Sequence, residues 1–196
     1  MIWRRRREPC DEDATDAQLH RAVLNGSQNA MTELYRRHGG LVYRFALRLV
    51  QETSIAEEVT QEVFLALLKH ADRFVVDRGS LSTWLCGIAR RLVWKHLRAQ
   101  HRDLIAEDGL DEVESHEDDP AVALTRKQAV QAVDQGIRGL PPNLREVIVL
   151  CELEEMRYED AAVVLGVPIG TVRSRLHRAK HRLALLLTET KIEERQ

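Results

Sequence analysis

One acidic segment divides this chain into two parts and limits the folds that it can adopt. Residues 104–120 hold eight acidic residues and no Lys or Arg. A run of like charge with few large apolar side chains buries too little surface to form a core, so we expect an extended linker. The parts on either side are each long enough for a small core. The predicted divisions are a tail at 1–18, a first domain at 19–103, the linker at 104–124 and a second domain at 125–196.

Composition narrows the class of protein further. The chain has 196 residues, and its five Pro and ten Gly are too few for a protein built on many β-turns. No apolar run approaches the roughly 18 residues that span a bilayer, and no apolar stretch follows Arg4–Arg7 as a secretory signal requires. Cys10, Cys86 and Cys151 lie too far apart in sequence to indicate a Cys-rich metal site or a disulfide framework. We therefore expect an all-α protein of the reducing cytoplasm, with two small helical domains and no membrane insertion.

Capping patterns and periodicity set the expected helix boundaries. Thr15–Gln18 and Ser54–Glu57 both have the pattern of a capping box. The helix that Ser54 opens is expected to bury a stripe at i+4 steps, with Phe64, Leu68 and Ala71 beside it. The stripe consists of Ile55, Val59, Val63 and Leu67. A helix that begins after Ser27 is expected to stop near Gly39-Gly40, with a separate apolar helix over residues 41–50. Ser80 is expected to cap the helix that follows it. The helices expected in the second part cover residues 121–139, 143–155, 158–165 and 169–187.

The C-terminal part contains the strongest motif, a helix-turn-helix over Tyr158–Arg178. Gly166 permits a left-handed turn after the first helix, and Pro168 is suited to the first turn of the second helix. A buried stripe is predicted along the second helix at Val172, Leu176, Ala179, Leu183 and Leu186. Its opposite face carries groups that bind base edges and phosphates in a major groove. These candidate DNA-binding residues are Arg173, Ser174, His177, Arg178, Lys180 and Arg182. His177 and His181 have the spacing of a metal pair, but no Glu or Cys joins them, so no metal site is predicted.

A second basic helix lies in the first part, where residues 81–102 contain no acid. Arg90, Trp94 and Arg98 share one face of this helix. An aromatic ring between guanidinium groups is suited to stacking on an unpaired base and holding its phosphate, and the alternative is that Trp94 belongs to the core. The preceding loop offers polar groups for a pocket around a flipped base. The loop residues are Asp77, Arg78, Gly79 and Ser80.

A third candidate surface is acidic. Glu57, Glu58, Gln61 and Glu62 lie on one face of a predicted helix. Such a face is either simply solvated or a surface for basic residues of a partner protein.

Four segments together resemble a bacterial RNA polymerase sigma factor of the extracytoplasmic-function (ECF) group. Residues 56–65 resemble the core-binding helix of region 2, and residues 79–90 resemble the segment that melts and reads the minus-ten element. Leu140-Pro141-Pro142 and residues 158–178 resemble region 4, with the string GTVRSRLHRA at 170–179 the most specific. The resemblance implies a transcription initiation factor that needs no cofactor and is not an enzyme.

The resemblance also implies roles for the candidate residues. The acidic face would bind the clamp helices of the largest polymerase subunit, and region 4 would also contact the flap. The basic helix and loop of the first part would read the minus-ten element, and the helix-turn-helix would read the minus-35 element. An anti-sigma factor stays open as a further partner. Arg91 and Lys95 stand where the family often has Asn and Asp, which leaves the preferred minus-ten bases undecided.

Two other classes of protein are alternatives at this point. A stand-alone helix-turn-helix regulator would need only the C-terminal domain, and binding to core polymerase separates it from a sigma factor. An enzyme is disfavoured because the sequence has no Gly-rich phosphate loop and no Ser-His-Asp arrangement.

Overall fold

The computed structural model describes residues 14–74, 79–106 and 124–193. These residues form helices and no β-strand, which confirms the predicted all-α class. The α-helices are α1 (Asp16–Leu24), α2 (Gln28–Val50), α3 (Thr53–Lys69), α4 (Leu81–Ala106), α5 (Leu124–Arg138), α6 (Pro142–Ile148), α7 (Tyr158–Leu165) and α8 (Ile169–Glu193). We call α1–α4 the first unit and α5–α8 the second unit.

The predicted capping box at Thr15 is present at the start of α1. The Thr15 hydroxyl accepts a hydrogen bond from the backbone N–H of Gln18, and the Gln18 side chain accepts one from the backbone of Thr15. These bonds satisfy two groups that a helix terminus leaves without partners. Leu19 and Val23 of α1 are buried, and α1 packs on α2.

The expected break at Gly39-Gly40 is wrong, because α2 is one helix from Gln28 to Val50. Val42, Phe45 and Ala46, which follow the glycines, are completely buried. Two helical glycines cost about 1 kcal/mol each relative to Ala. Burial of one large apolar side chain contributes about 1.5–3 kcal/mol, so continuing the buried stripe outweighs that cost.

The start of α3, the helix that carries the candidate polymerase-binding residues, differs from the prediction. α3 starts at Thr53, and the Ser54 hydroxyl donates to the Glu52 carboxylate at 2.6 Å instead of capping the helix. The predicted i+4 stripe is confirmed, since Val59, Val63 and Leu67 are completely buried. Leu68 lies outside this stripe and is 53% exposed.

α4 crosses both α2 and α3 and completes the core of the first unit. Ser80 caps it as expected, because its hydroxyl accepts a hydrogen bond from the Thr83 N–H at 3.2 Å. Leu81, Leu85 and Val93 form the buried face of α4, and Trp84 is half-buried with its ring 5.8 Å from that of Phe74.

The second unit is built around α8, against which α5, α6 and α7 all pack. The single helix expected over 143–155 is instead α6 followed by a π-helical turn at Val149–Leu153. The Glu154 N–H bonds the carbonyl of Val149 at 3.0 Å, five residues back, and Glu155 then leaves the helix at φ 51°. This turn adds a residue to the helical path and changes the direction in which Glu154 points.

The two units lie in contact. α6 and the π-helical turn pack on α2, and α7 packs on α4. The expected divisions after residues 18 and 103 fall inside α1 and α4, and residues 107–123 of the expected linker lie outside the described residues.

Candidate nucleic-acid and polymerase interfaces

The helix-turn-helix has the predicted local geometry. α7 ends at Gly166, which adopts the left-handed conformation at φ 64°. The Pro168 carbonyl accepts from the N–H of Thr171 at 2.8 Å, which starts α8 immediately after the turn. Val172, Leu176 and Ala179 are buried, and Leu183 and Leu186 are partly buried and pack on the core, so the predicted stripe of α8 is its core-facing side.

The opposite side of α8 is exposed over two turns. Its exposed side chains are Arg173, Ser174, His177 and Arg178. The Ser174 hydroxyl donates to the Thr171 carbonyl at 3.1 Å, and Arg178 Nε lies 3.4 Å from the Ser174 carbonyl. Both are local contacts, and within the described residues no hydrogen bond or ion pair joins this face to another element. A helix with one buried stripe and an opposite basic face fits the geometry of a major-groove reader.

Lys180 and Arg182 differ, although both are exposed cations of α8. Lys180 Nζ lies 2.9 Å from Oε1 of Glu152 in the π-helical turn. This hydrogen bond raises the pKa of Lys180, and the charge of the ammonium is largely balanced by the carboxylate. No hydrogen bond or ion pair joins Arg182 to another residue in the described part of the chain, so its charge is available to a phosphate.

The basic helix of the first unit presents two faces with different surroundings. Arg91, Lys95 and Arg98 are exposed and repeat at i, i+4 and i+7, which forms a basic stripe. Arg90 and Trp94 face the second unit instead. Arg90 Nε donates to Glu146 Oε1 at 2.8 Å, and Trp94 Nε1 donates to the same oxygen at 2.5 Å.

The loop before α4 is described only at its end. Gly79 has φ 140°, a conformation that favours glycine, and the Ser80 hydroxyl contacts those of Ser82 and Thr83 at 2.9 and 2.7 Å. Asp77 and Arg78 lie outside the described residues.

The acidic face of α3 is accessible. Glu57, Glu58 and Gln61 are exposed and Glu62 is half-buried. Farther along the same side of the helix, Leu65 and Leu68 are 50% and 53% exposed. Both leucines lie off the buried i+4 stripe of α3. The sequence analysis placed Leu68 beside the core, whereas the structure exposes it. The surface is therefore acidic at one end and apolar at the other.

The structure gives no indication of metal chemistry in the part of the chain that it describes. No group of three His, Cys, Asp or Glu residues is placed to hold an ion, and His177 and His181 both face solvent.

Burial raises the pKa of Cys86 to about 12 and that of Cys151 to about 11. Among the described helices, none has the length and apolar content needed to cross a membrane.

Comparison with known proteins connects these surfaces to one family. Residues 34–103 match the family described as sigma-70 region 2, and residues 131–183 match that described as sigma-70, region 4. The chain is 30% identical over 192 residues to the ECF RNA polymerase sigma factor SigE of Mycolicibacterium smegmatis, covering 96% of this chain and 74% of that protein. It is 33% identical over 178 residues to the RNA polymerase sigma-H factor of Pseudomonas aeruginosa, covering 84% and 90%. This chain is an ECF sigma factor of the sigma-70 family.

A solved structure shares the fold. The sigma factor RpoE, crystallised with the anti-sigma factor NepR from Bartonella quintana, aligns with a TM-score of 0.67 and 28% identity over 80% of this chain and 96% of that chain. Region 2 lies within the first unit and region 4 within the second. As an ECF sigma factor, the protein binds core RNA polymerase and directs it to promoters.

The contact that sequence reasoning missed is the one between Glu146 and α4. Glu146 stands directly before the apolar residues 147–151, where an acid is costly to bury without a partner. That position signals a paired carboxylate, although the local sequence does not identify the partner. The structure places both Arg90 and Trp94 around it.

Proposed function

We propose that this ECF sigma factor reads the minus-35 element with α8 and the minus-ten element with α4 and its preceding loop. The observation that supports the proposal most directly is the uncovered face of α8 formed by Arg173, Ser174, His177 and Arg178. An Arg side chain on this face can bind the O6 and N7 atoms of a guanine together, and loss of a good bidentate contact costs about 1–3 kcal/mol of discrimination.

The minus-ten element is assigned to Asp77, Arg78, Gly79, Ser80, Arg90, Trp94 and Arg98. Trp94 offers a ring for stacking on an unpaired base, and the exposed stripe that includes Arg98 offers charge for the strand that carries it. Arg91 and Lys95 extend that stripe and add sequence-independent attraction for phosphates.

Core polymerase docking is assigned to α3. Glu57, Glu58, Gln61 and Glu62 supply an acidic patch that complements basic residues of a partner. The half-exposed Leu65 and Leu68 beside this patch supply apolar area, so the surface has the mixed composition of a specific protein interface.

The protein acts where RNA polymerase acts, in the cytoplasm, and catalyses no reaction of its own. A solved relative in complex with the anti-sigma factor NepR supports an anti-sigma factor as a further partner of this chain.

Run-off transcription tests the assignment of α8. Purified chain and core polymerase are supplied with promoters in which the upstream element is randomised, at fixed salt. Arg173→Ala and Arg178→Ala should each change the selected bases at one or two positions, while Arg175→Ala serves as a control cation on a different side of α8. If both variants select the same bases as the native chain, α8 is not the reader.

A further inference from the structure

His20 of α1 is a buried polar side chain that joins this helix to the segment following α3. It is 3% exposed, and its Nε2 atom lies 2.6 Å from the carbonyl oxygen of Ala71, 51 residues along the chain. A carbonyl oxygen can only accept, so Nε2 carries the hydrogen and donates it. The His20 ring also meets that of Phe74 edge-on, with centroids 4.9 Å apart and planes at 83°. One side chain therefore holds both Ala71 and Phe74.

The Ala71 carbonyl accepts a second hydrogen bond from within its own turn. Ala71 begins the 3₁₀ turn Ala71–Arg73, and the N–H of Phe74 donates to the Ala71 carbonyl at 3.3 Å. Ala71 and Phe74 are both buried, and a carbonyl oxygen has two lone pairs to satisfy. The donor from His20 is the shorter of the two contacts. Its loss leaves one lone pair of a buried carbonyl without that donor and weakens the restraint on Phe74.

Phe74 in turn contacts the first turn of α4. Its ring lies 5.8 Å from that of Trp84, at an interplanar angle of 54°. Gly79 and Ser80 lie immediately before this turn, and Ser80 caps it. Gly79 and Ser80 are two of the residues that we assign to the minus-ten element. Two ring contacts therefore connect His20 to the helix turn that follows them.

α1 is itself fixed on α2, at a point one turn before His20. The carboxylate of Asp16 lies 2.7 Å from His38 Nε2 and accepts from Arg37 Nη1 at 3.2 Å. These contacts hold the start of α1 against the middle of α2, so His20 extends from a helix whose position is set independently of α4. α1 ends before residue 34, where the match to region 2 begins.

We infer that His20 is a positioning residue for promoter opening, whose hydrogen bond to Ala71 holds Phe74 and Trp84 so that the start of α4 keeps the conformation that binds the melted minus-ten strand. The inference rests on the proposed minus-ten role of α4 and the residues before it. Without the His20 donor this conformation is less populated, and the apparent affinity for the single strand falls by the same fraction. The exposed face of α8 belongs to the second unit, so binding of upstream duplex DNA should not change.

The test measures binding of single-stranded DNA to holoenzyme assembled from the full chain and core polymerase. The probe is a fluorescent oligonucleotide carrying the minus-ten sequence that native holoenzyme selects from a randomised promoter library. His20→Phe keeps an aromatic ring and removes the donor, whereas His20→Gln keeps an N–H donor at a similar distance from the backbone. His20→Phe should weaken binding by about three- to tenfold, the effect of one lost hydrogen bond, and His20→Gln by less than about twofold. Affinity for an upstream duplex should stay within about twofold for both.

Leu19→Ala is the matched control for a loss of stability in α1. Leu19 is buried beside His20, and no hydrogen bond or ring contact joins its side chain to Phe74 in the described part of the chain. Leu19→Ala should lower the free energy of unfolding in denaturant titrations while single-strand affinity stays within about twofold. Far-UV circular dichroism checks that every variant retains its helices.

A substitution at Phe74 tests the same pathway without altering α1. Phe74→Leu keeps an apolar side chain and removes the ring that contacts both His20 and Trp84. It should weaken single-strand binding by about the same factor as His20→Phe. Because the two contacts act in series, the double variant should bind no more weakly than Phe74→Leu alone.

The outcomes separate this inference from the proposed function. If His20→Phe binds the single strand as the native chain does, or if His20→Gln loses as much as His20→Phe, the donor does not position the start of α4 and the inference is wrong. Equal loss in Leu19→Ala would also overturn it, since the effect would then be one of stability. If Trp94→Ala weakens single-strand binding while His20→Phe does not, the minus-ten assignment stands and only the positioning role falls. If neither weakens it, both are refuted.

Discussion

Two neighbouring cations of α8 should contribute differently to DNA binding, because only one of them is balanced by an acid. Lys180 is paired with Glu152 at 2.9 Å, whereas Arg182 has no such partner among the described residues. A cation that releases a counterion on binding a phosphate steepens the salt dependence of affinity. A cation already neutralised by a carboxylate releases less, so substitutions at these two positions should give unequal changes in slope.

The size of the difference follows from the charges. Each full phosphate contact contributes about 0.9 to the slope of log K against log salt, which is about a 3.5-fold change in affinity between 50 and 200 mM. Arg182→Gln should reduce the slope by about this amount. Lys180→Gln should reduce it by less than about half as much. Glu152→Gln should steepen the slope by up to about 0.9, because it frees the Lys180 charge.

Fluorescence anisotropy of the full chain with a labelled upstream duplex measures these slopes across a salt series. In the Glu152→Gln background, Lys180→Gln should have the full effect that Arg182→Gln has in the native chain. If Lys180→Gln and Arg182→Gln lower the slope equally in the native background, the pair with Glu152 does not limit Lys180. If neither lowers it, the C-terminal end of the proposed reading face does not touch phosphates.

Four further outcomes are expected. Reversing Glu58 and Glu62 to Lys should weaken binding to core polymerase without changing the helical signal, and unchanged affinity in a pull-down with core would contradict the α3 assignment. Trp94→Ala should reduce open-complex formation more than closed-complex binding on a promoter, since stacking requires an unpaired base; equal losses would place Trp94 in the core instead. Leu176→Ala should lower the free energy of unfolding by about 2–5 kcal/mol in denaturant titrations, because Leu176 is 4% exposed in the stripe of α8. Hydrogen bonds from two arginines lower the pKa of Glu33 from 4.5 to about 2. The stability that this carboxylate contributes is therefore present above pH 4.5 and is lost as the pH falls towards 2. Glu33→Gln should lower the melting temperature near neutral pH, and its difference from the native chain should shrink over that acidic range.

Periodic burial along a single helix could be predicted from the sequence. The stripes on α3 and α8 were predicted because Val59, Val63 and Val172 recur at helical spacing and need only one partner surface. The exposed face of α8 then follows by geometry as the side opposite the stripe. These features depend on residues within a few turns of one another.

Features that depend on distant residues were not predicted. Gly39 and Gly40 favour a break locally, yet burial of the stripe that follows them continues α2 through both. Glu146 and Trp94 are 52 residues apart, and neither has a local pattern that identifies the other. The start of α3 was misplaced because the Ser54 hydroxyl binds Glu52, a competing bond of the kind that short polar side chains often form.

The π-helical turn at Val149–Leu153 places Glu154 beside Arg44 of α2, whose Nε donates to it at 3.0 Å. This contact between the two units is therefore sensitive to the length of the chain at one point. A helical residue advances about 100° around the axis, so removing one residue there would rotate everything that follows by that angle. Glu154 would then turn away from Arg44 although both residues were still encoded. Among relatives of this protein, a single-codon deletion in this turn would mark chains that have lost this ion pair, even where every charged residue of the boundary is retained.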